Sequence, residues 1–437
     1  MAEIRPFRAL RYDPAKVELE RVLAPVYDVV TPEERVRFWE RDPHNAVRLE
    51  LTKSVAEEAS TDYSEVAQTL AAWRGAGVLR FDAEAALYAL RQRFSAPGGG
   101  TLERTGFFCA LKLEDYAKRI VRPHERTLSG PKADRLKILR ASRTNLSAVF
   151  LLYEDPDGKL DALLEQALAA GEPQRARDAG GVEQALVAVR DANAIAEVER
   201  FLASRPLVIA DGHHRYETAL AYQAERRAAA DASGARSEAE SSKPSEVERD
   251  GADHIFVYLA NAYAAGSLLL PIHRLLVRTP APSDARWSEL ARAGWSQRTV
   301  PAASPEQVEA ALREALAPHT GAPAFAADDG RGQLRVFWKP ASADDLSIEV
   351  FHREIVVGFF GLDEDAVRSG ALAFPKAAQE AAREVRAGRG TLALYLNPLR
   401  PEDVFRVTAA GSTLPQKSTF FYPKLPTGLL FRSLDEP

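Results

Sequence analysis

The sequence contains a single cysteine, Cys109, among its 437 residues. One thiol excludes an internal disulfide and any metal site built from several cysteines. No run approaches the roughly 18 apolar residues that a membrane-spanning helix requires. The first residues also lack the charged and apolar regions of a secretory signal peptide. The sequence therefore predicts a cytoplasmic protein without a membrane partner.

Several common catalytic motifs are missing as well. The sequence has no G-x-G-x-x-G fingerprint, which argues against a Rossmann dehydrogenase, and no G-x-S-x-G elbow, which argues against a serine hydrolase. Lys417, Ser418 and Thr419 resemble the end of a P-loop, but the glycines before them do not have the Walker spacing. A net charge of -5 and a pI near 6.0 argue against a dedicated nucleic-acid-binding protein.

What is present is an ordinary globular composition, with 46% hydrophobic and 27% charged residues. Short apolar runs and segments of helical period alternate along the chain, and they predict an α/β or α+β fold with a mixed sheet. Thr31 and Glu34 have the spacing of a capping box, which predicts a helix start. Val47, Leu49 and Leu51 alternate with other side chains, as in a half-buried strand.

Changes in composition along the chain predict its division into domains. We expect a main α/β domain over residues 1–277, a smaller lobe over 278–345, and a C-terminal segment, 346–437, that returns to the site. Residues 228–252 are polar and have no apolar period, which predicts a mobile insertion.

The most informative stretch follows an apolar strand at residues 207–210. Two histidines and an arginine come directly after an Asp-Gly pair, and together they form a turn of Asp211, Gly212, His213, His214 and Arg215. A helix is predicted from about residue 213 to 227. A helix N-terminus attracts anions through its free N–H groups and its dipole, so the turn predicts a phosphate site. The structural alternative is a plain Asp cap followed by exposed first-turn residues.

Further polar clusters lie in apolar or Gly/Pro-marked surroundings, and most of them contain Lys or Arg. They are Asp28; His124, Glu125, Arg126 and Thr127 with Lys132 and Arg135; His273 with Arg274; and Lys417, Ser418 and Thr419 with Lys424. A site assembled from them is locally basic, which suits a small phosphorylated metabolite, pyrophosphate or a nucleotide. Each cluster also has a structural alternative: a loop cap, a surface ion pair or a polar strand end.

The histidines do not have the spacing of a transition-metal site, because no His-x-x-x-His or His-x-His pair occurs. Mg²⁺ needs only one or two carboxylates together with phosphate oxygens. We therefore expect Mg²⁺, bridging Asp211 or Glu125 and the phosphates, to be the cofactor if there is one.

Five motifs together resemble the bacterial and archaeal family known as domain of unknown function 1015. They lie in the same order along essentially the whole chain, at residues 24–28, 122–135, 210–219, 270–274 and 417–424. The Asp-Gly-His-His-Arg turn is also similar to the phosphate-binding turn of the ParB/sulfiredoxin-like superfamily, which includes archaeal kinases that phosphorylate free serine with ADP. The resemblance implies a ParB/sulfiredoxin-like core.

The resemblance further implies phosphoryl transfer on a small hydroxylated metabolite, because members of the family have been linked to serine biosynthesis. The leading hypothesis is a phosphoserine phosphatase or a reversible free-serine kinase, and a homodimer is one expected form. A non-catalytic ParB-like module that binds a nucleotide or DNA is the alternative. A sulfiredoxin-type redox enzyme lacks its cysteine, since His213 and His214 occupy the turn.

In this hypothesis the candidate residues have separate roles. His213, Arg215 and the backbone of the turn hold the phosphoryl group, while His214 or Asp211 acts as acid or base, with Glu125 as the alternative base. The remaining candidates bind substrate or neutralise charge: Gly212, His124, Arg126, Lys132, Arg135, His273, Arg274, Lys417, Ser418 and Thr419.

Overall fold

The computed structural model describes residues 1–58, 60–97, 99–125, 129–234, 251–341, 345–415 and 417–436. The chain forms two compact units, one of residues 1–267 with 423–437 and one of residues 268–422. These boundaries differ from the division drawn from the sequence at residues 277 and 345. The difference arises because strands at 274–276 and 392–396 pair in one sheet of the second unit.

The strands of the first unit are short at its edges and long at its centre. In chain order they are β1 (Ile4–Arg5), β2 (Leu10–Tyr12), β3 (Leu79–Phe81), β4 (Leu87–Ser95), β5 (Thr101–Lys112), β6 (Val121–Arg122), β7 (Thr144–Asn145), β8 (Val149–Tyr153), β9 (Gln174–Arg177), β10 (Glu183–Val189), β11 (Leu207–Asp211) and β12 (His254–Asn261).

Nine of the described strands form the main sheet, in the order β6-β11-β8-β12-β5-β4-β10-β9, with β1 added to β5. The pairs β6–β11 and β8–β12 are parallel and the others are antiparallel. The predicted mixed α/β fold is thus confirmed. Strands β8 and β12 are buried along their whole length, which explains why they are continuous apolar runs in the sequence.

The helices of the first unit lie between these strands in the sequence. They are α1 (Leu19–Val22), α2 (Pro32–Arg41), α3 (Val47–Glu50), α4 (Val55–Glu58), α5 (Ser64–Gly75), α6 (Ser129–Ser142), α7 (Lys159–Ala170), α8 (Ala192–Ala203) and α9 (His213–Gly234). The predicted capping box of α2 is present: Glu34 N–H donates to the Thr31 hydroxyl, and Thr31 N–H donates to the Glu34 carboxylate. No helix in the described ranges is long and apolar enough to cross a membrane.

Two predictions about these elements were wrong. The alternation of Val47, Leu49 and Leu51 is not a strand, because Asn45 Oδ1 accepts the Val47 N–H at 3.0 Å and starts the helical turn α3. The helix after the histidine turn does not end near residue 227 but continues as α9 through Gly234. Its alanine-rich last turns favour helix, so the insertion begins later than predicted. Residues 235–250 of that insertion lie outside the described residues, and residues 251 and 252 are helical.

The second unit has its own antiparallel sheet. Its strands are β13 (Leu268–Leu270), β14 (Arg274–Leu276), β15 (Ser296–Pro301), β16 (Ala324–Asp328), β17 (Gln333–Trp338), β18 (Leu372–Ala373), β19 (Leu392–Leu396) and β20 (Phe420–Tyr422). Six described strands run in the order β15-β17-β16-β19-β14-β18, and β13 pairs separately with β20. The helices are α10 (Asp284–Arg292), α11 (Pro305–Leu316), α12 (Ser347–Val350, continued as a π-helix to Phe359), α13 (Glu364–Arg368), α14 (Ala378–Arg386) and α15 (Pro401–Ala409).

Residues 423–437 belong to the first unit and pair with its N-terminal region. Thr427 exchanges main-chain hydrogen bonds with Ala24 at 2.8 and 3.1 Å, and Phe431 does the same with Leu10 at 2.9 Å. The last strand, β21 (Arg432–Ser433), pairs with β7. These bonds bring residue 424 close to the loop that contains Asp28.

Candidate functional site

The histidine turn connects β11 to α9 through a glycine that no other residue can replace without strain. Gly212 has a φ of +92°, and a Cβ at this position would lie 2.9 Å from the guanidinium carbon of Arg215. Such a φ favours glycine, and a Cβ here would also force the Arg215 guanidinium to shift. The turn therefore allows the Arg215 guanidinium to lie directly against its own backbone.

Asp211, at the end of β11, is the centre of an ion cluster. Its Oδ1 accepts a hydrogen bond from Lys424 Nζ at 2.6 Å, and its Oδ2 accepts one from Arg215 Nη2 at 2.5 Å. Lys424 Nζ also lies 3.2 and 3.3 Å from the two carboxylate oxygens of Asp28. We call Asp28, Asp211, Arg215 and Lys424 the Lys424 cluster.

The charges of the Lys424 cluster stabilise one another. Burial would raise the pKa of Asp211, but Lys424 and Arg215 outweigh it and hold this pKa well below its usual value. Burial would likewise lower the pKa of Lys424, but Asp211 and Asp28 raise it above its usual value. Both groups are therefore charged across the whole neutral range.

His124 and His213 form a buried pair beside this cluster. His124 Nδ1 donates to the Ile209 carbonyl at 2.5 Å, and its main-chain N–H donates to His213 Nε2 at 3.3 Å. The two rings meet edge to face at 4.7 Å. Burial, together with the neighbouring His124, lowers the pKa of His213 to about 3. His213 is thus a neutral imidazole whose Nε2 is an acceptor and whose proton is on Nδ1.

His214 is less enclosed and lies among charged groups. Burial lowers its pKa, Lys132 adds to that effect, and Glu217 and Asp28 oppose it. Lys132 Nζ forms an ion pair with the Glu217 carboxylate. His214 is therefore neutral at pH 7, half-buried, and close to both a lysine and carboxylates, which is the environment of a proton acceptor.

Arg135 supports the loop that contains Asp28. Its guanidinium carbon lies 4.1 Å from the centre of the Tyr27 ring, and it donates to the Asp134 carboxylate and to the Glu50 carbonyl, the latter at 3.0 Å. Burial raises the pKa of Tyr27 to about 12, so the ring is a neutral surface for the cation. The role of Arg135 in substrate binding stays a prediction.

The remaining predicted residues fall into three groups. Glu125 Oε1 lies 3.7 Å from His124 Nε2, within the first unit. Arg126 and Thr127 lie outside the described residues. The third group belongs to the second unit: His273, Arg274, Lys417, Ser418 and Thr419.

Three residues of the third group contact main-chain groups of the second unit, and the role of this group in substrate binding stays a prediction. His273 is buried, its Nδ1 accepts the Leu396 N–H at 3.3 Å, and burial lowers its pKa to about 3. Arg274 Nη1 donates to the Ile272 carbonyl at 2.8 Å. Ser418 Oγ donates to the Pro415 carbonyl at 2.5 Å. Lys417, with a φ of 58°, is exposed.

With this geometry in hand, the chain can be compared with known proteins. The model of the family described as protein of unknown function (DUF1015) matches residues 4–315. The chain belongs to this family. No curated protein matches the sequence.

Three solved structures are similar to this chain at low identity. A free serine kinase in complex with AMP is 13% identical, with a TM-score of 0.34, over 74% of this chain and 92% of that one. A conserved hypothetical protein from Pyrococcus furiosus is 11% identical, with a TM-score of 0.34, over 76% and 96%. SbnI from Staphylococcus aureus, truncated at its C-terminus, is 10% identical, with a TM-score of 0.35, over 74% and 87%. TM-scores below 0.5 do not establish a shared fold, so the ParB/sulfiredoxin-like core stays a prediction.

Sequence reasoning did not assign a role to three residues of the site. Lys424 and Asp28 were recognised as parts of polar clusters, but the contacts of Lys424 with Asp28 and with Asp211 were not foreseen. Glu217 was missed, although it lies one helical turn after His213 and therefore on the same face of α9. That i,i+4 spacing was the available signal.

The geometry is unfavourable for a metal held by Asp211. Both of its oxygens already accept charge-assisted hydrogen bonds, from Lys424 and from Arg215. Among the described residues, no group of three or more His, Cys, Asp or Glu side chains is arranged to hold a metal ion. A divalent cation that enters with a phosphate ligand would need other partners, and Mg²⁺ stays a prediction.

Proposed function

We propose that this chain transfers a phosphoryl group to or from a small hydroxylated metabolite, with serine and O-phosphoserine as the leading pair. The observation that carries the proposal is the Lys424 cluster, because it holds a lysine and two carboxylates beside the N-terminus of the 22-residue helix α9. His214 is in the first turn of that helix, and Lys132 lies near enough to it to lower its pKa. The substrate pair itself comes from the family resemblance of the turn.

Lys424 is the group that we assign to the phosphoryl oxygens. Its contact with Asp28 is longer than its contact with Asp211, and the Asp28 side chain is 38% exposed against 19% for Asp211. A phosphoryl dianion can therefore replace Asp28 on Lys424 while Asp211 keeps the ammonium in place. The positive end of the α9 dipole and the Lys132 ammonium add further favourable interactions for the anion.

His214 is the group that we assign to proton transfer. It is neutral at pH 7 and can accept the hydroxyl proton of serine as that oxygen attacks phosphorus and the bond to the donor's leaving group breaks. Asp211 is a poor choice for this role, because its lowered pKa keeps it ionised and weakly basic. Glu125 is the alternative base.

Three other residues of the turn are assigned to positioning. Arg215 donates hydrogen bonds to Asp211 and to the Ala148 carbonyl, so we assign it to orienting the carboxylate rather than the substrate. His213 carries no positive charge, and its Nε2 fixes the backbone of His124. Gly212 permits the close approach of Arg215. No step of the proposal passes through Mg²⁺.

The proposal is tested by ³¹P NMR of the purified protein with O-phosphoserine, with and without Mg²⁺, alone and then with phosphate, ADP or AMP. Loss of the phosphomonoester signal supports it, and the new resonance identifies the acceptor: free phosphate for a phosphatase, pyrophosphate or a nucleotide for a kinase. Tight binding of a phosphorylated ligand without consumption under any condition would overturn it in favour of a non-catalytic binding module.

A further inference from the structure

A completely buried arginine is hydrogen-bonded to the backbone immediately before Lys424. Arg104, on β5, has 0% of its surface exposed. Its Nε donates to Gln92 Oε1 at 3.1 Å, its Nη2 donates to the same oxygen, and Nη2 also donates to the Pro423 carbonyl at 2.6 Å. Within the described residues it forms no ion pair with a carboxylate, and its Nη1 has no hydrogen-bond partner.

Such an arginine is costly to the fold. A buried cation without a counterion loses its hydration and gains little Coulomb energy in return. Burial accordingly lowers the pKa of Arg104. Its compensation comes from neutral groups: the rings of Phe150 and Tyr258 lie 4.6 and 5.6 Å from the guanidinium carbon. A well-packed apolar side chain at this position would stabilise the fold at least as well as Arg104 does.

Two of the residues that Arg104 contacts are direct neighbours of residues in the Lys424 cluster. Pro423, whose carbonyl accepts the hydrogen bond from Arg104 Nη2, is the residue immediately before Lys424. Phe150, on which the guanidinium lies, is the partner of Asp211 in the β8–β11 pair, beside the irregularity in that pair. One side chain therefore contacts both the backbone that carries Lys424 and the strand opposite Asp211.

The orientation of Arg104 is itself fixed by a row of buried side chains across the sheet. Gln184, Gln92 and Arg104 are register partners on β10, β4 and β5, and each is at most 2% exposed. Gln92 Oε1 faces Arg104, and Gln184 Nε2 donates to Asp178 Oδ2 at 2.9 Å. The two amide atoms left over, Gln92 Nε2 and Gln184 Oε1, are a donor and an acceptor on neighbouring strands.

We propose that Arg104 is a positioning residue that holds the Pro423 carbonyl and thereby sets the place of the Lys424 ammonium between Asp28 and Asp211. The consequence for turnover rests on the proposed function, but the placement of Lys424 does not. Loss of Arg104 frees the Pro423 backbone, loosens Lys424 from its two carboxylates and lets its raised pKa fall toward the usual lysine value.

The test measures the reactivity of Lys424 toward an amine-acylating reagent, by peptide mass spectrometry under native conditions. We expect Lys424 to be nearly unreactive in the unaltered protein and markedly more reactive in Arg104→Met, because each unit of pKa lost raises the free-amine fraction about tenfold. Arg104→Lys keeps one donor for the Pro423 carbonyl and should restore much of the protection. Lys53, whose side chain is 54% exposed, is the internal reference.

Arg48→Met is the matched control. Arg48 also lies over a ring, Trp39 at 4.4 Å, and also donates to main-chain carbonyls, those of Trp39 and Asp42. None of its contacts involves the Lys424 cluster, so this variant should leave Lys424 unreactive.

Two results would overturn the inference: unchanged Lys424 reactivity in a folded Arg104→Met protein, or an equal rise at Lys53 and in the Arg48→Met control. Should Arg104→Met fail to fold, Arg104→Gln, which keeps an amide donor, takes its place in the same comparison. The readout needs no substrate. A protein that protects Lys424 through Arg104 but does not consume O-phosphoserine would refute the proposed function alone.

Discussion

The contact between Lys424 and Asp211 yields the sharpest quantitative prediction. At an effective dielectric constant of 20, Coulomb's law gives about 6 kcal/mol for unit charges 2.6 Å apart, the distance from Lys424 Nζ to Asp211 Oδ1. About a fifth of each side chain is exposed, which screens the pair, and Asp211 keeps Arg215 when Lys424 is lost. We therefore expect a coupling energy of about 2 to 3 kcal/mol.

The assay is a double-mutant cycle of Asp211→Asn and Lys424→Met, followed by urea unfolding at several pH values. The folded pKa of Asp211 is lowered, so its contribution is present above the unfolded value of about 3.9 and is lost as pH falls toward the folded value. The folded pKa of Lys424 is raised, so its contribution is present below about 10.4 and is lost as pH rises toward the folded value. The coupling should thus be constant between about pH 5 and 9 and decline on both sides.

Lys53→Met is the control variant for this prediction. Lys53→Met breaks only an exposed contact of 3.7 Å with Glu40 and should change stability by no more than about 0.5 kcal/mol. A coupling between Lys424 and Asp211 as small as that, or one that does not change from pH 7 to pH 3, would refute the reasoning.

Three further predictions concern single residues. Gly212→Ala should destabilise the protein by about 1 kcal/mol more than Gly181→Ala in thermal unfolding, because both have positive φ but only at Gly212 must the Arg215 guanidinium shift and weaken its hydrogen bonds; equal losses would contradict the steric argument. His213 should stay neutral with its proton on Nδ1 down to about pH 4 in ¹⁵N NMR, and protonation near pH 6.5 would contradict its burial. Thr31→Ala should cost about 1 kcal/mol in urea unfolding, since the Glu34 N–H loses its acceptor, and no loss would contradict the capping box.

Features set by neighbouring residues were predictable from the sequence. Thr31 and Glu34 have the spacing of a capping box because both partners lie within one helical turn, and the bonds are present. The strand, turn and helix around Gly212 followed from four apolar residues, a glycine and a helical period. In each case the physical cause lies within a few residues of its effect.

Features set by distant residues were not predictable in this way. Lys424 and Asp28 are 396 positions apart, and no local pattern shows that the C-terminal segment pairs with Ala24 beside them. The contacts of Arg215 with the Ala148 carbonyl and with Asp211 were likewise not foreseen. A sequence shows which side chains carry charge, whereas their partners depend on how the strands are ordered.

The error at residues 47–51 has a different origin. Val47, Leu49 and Leu51 are all buried, which their alternation correctly suggested, but burial on every side of a single helical turn gives the same pattern as one face of a strand. The Asn45 side chain stabilises the helical turn over a strand because it accepts the Val47 N–H. A residue two positions upstream thus outweighed the periodicity.

The most direct test of the account compares O-phosphoserine consumption by ³¹P NMR in the unaltered protein, Lys424→Met and the control Lys53→Met. We expect the unaltered protein and Lys53→Met to consume O-phosphoserine. The rate should fall about a hundredfold or more in Lys424→Met, because a positive charge directed at the phosphoryl group is removed. Equal consumption by all three proteins would contradict the assignment of the Lys424 cluster as the site of phosphoryl transfer.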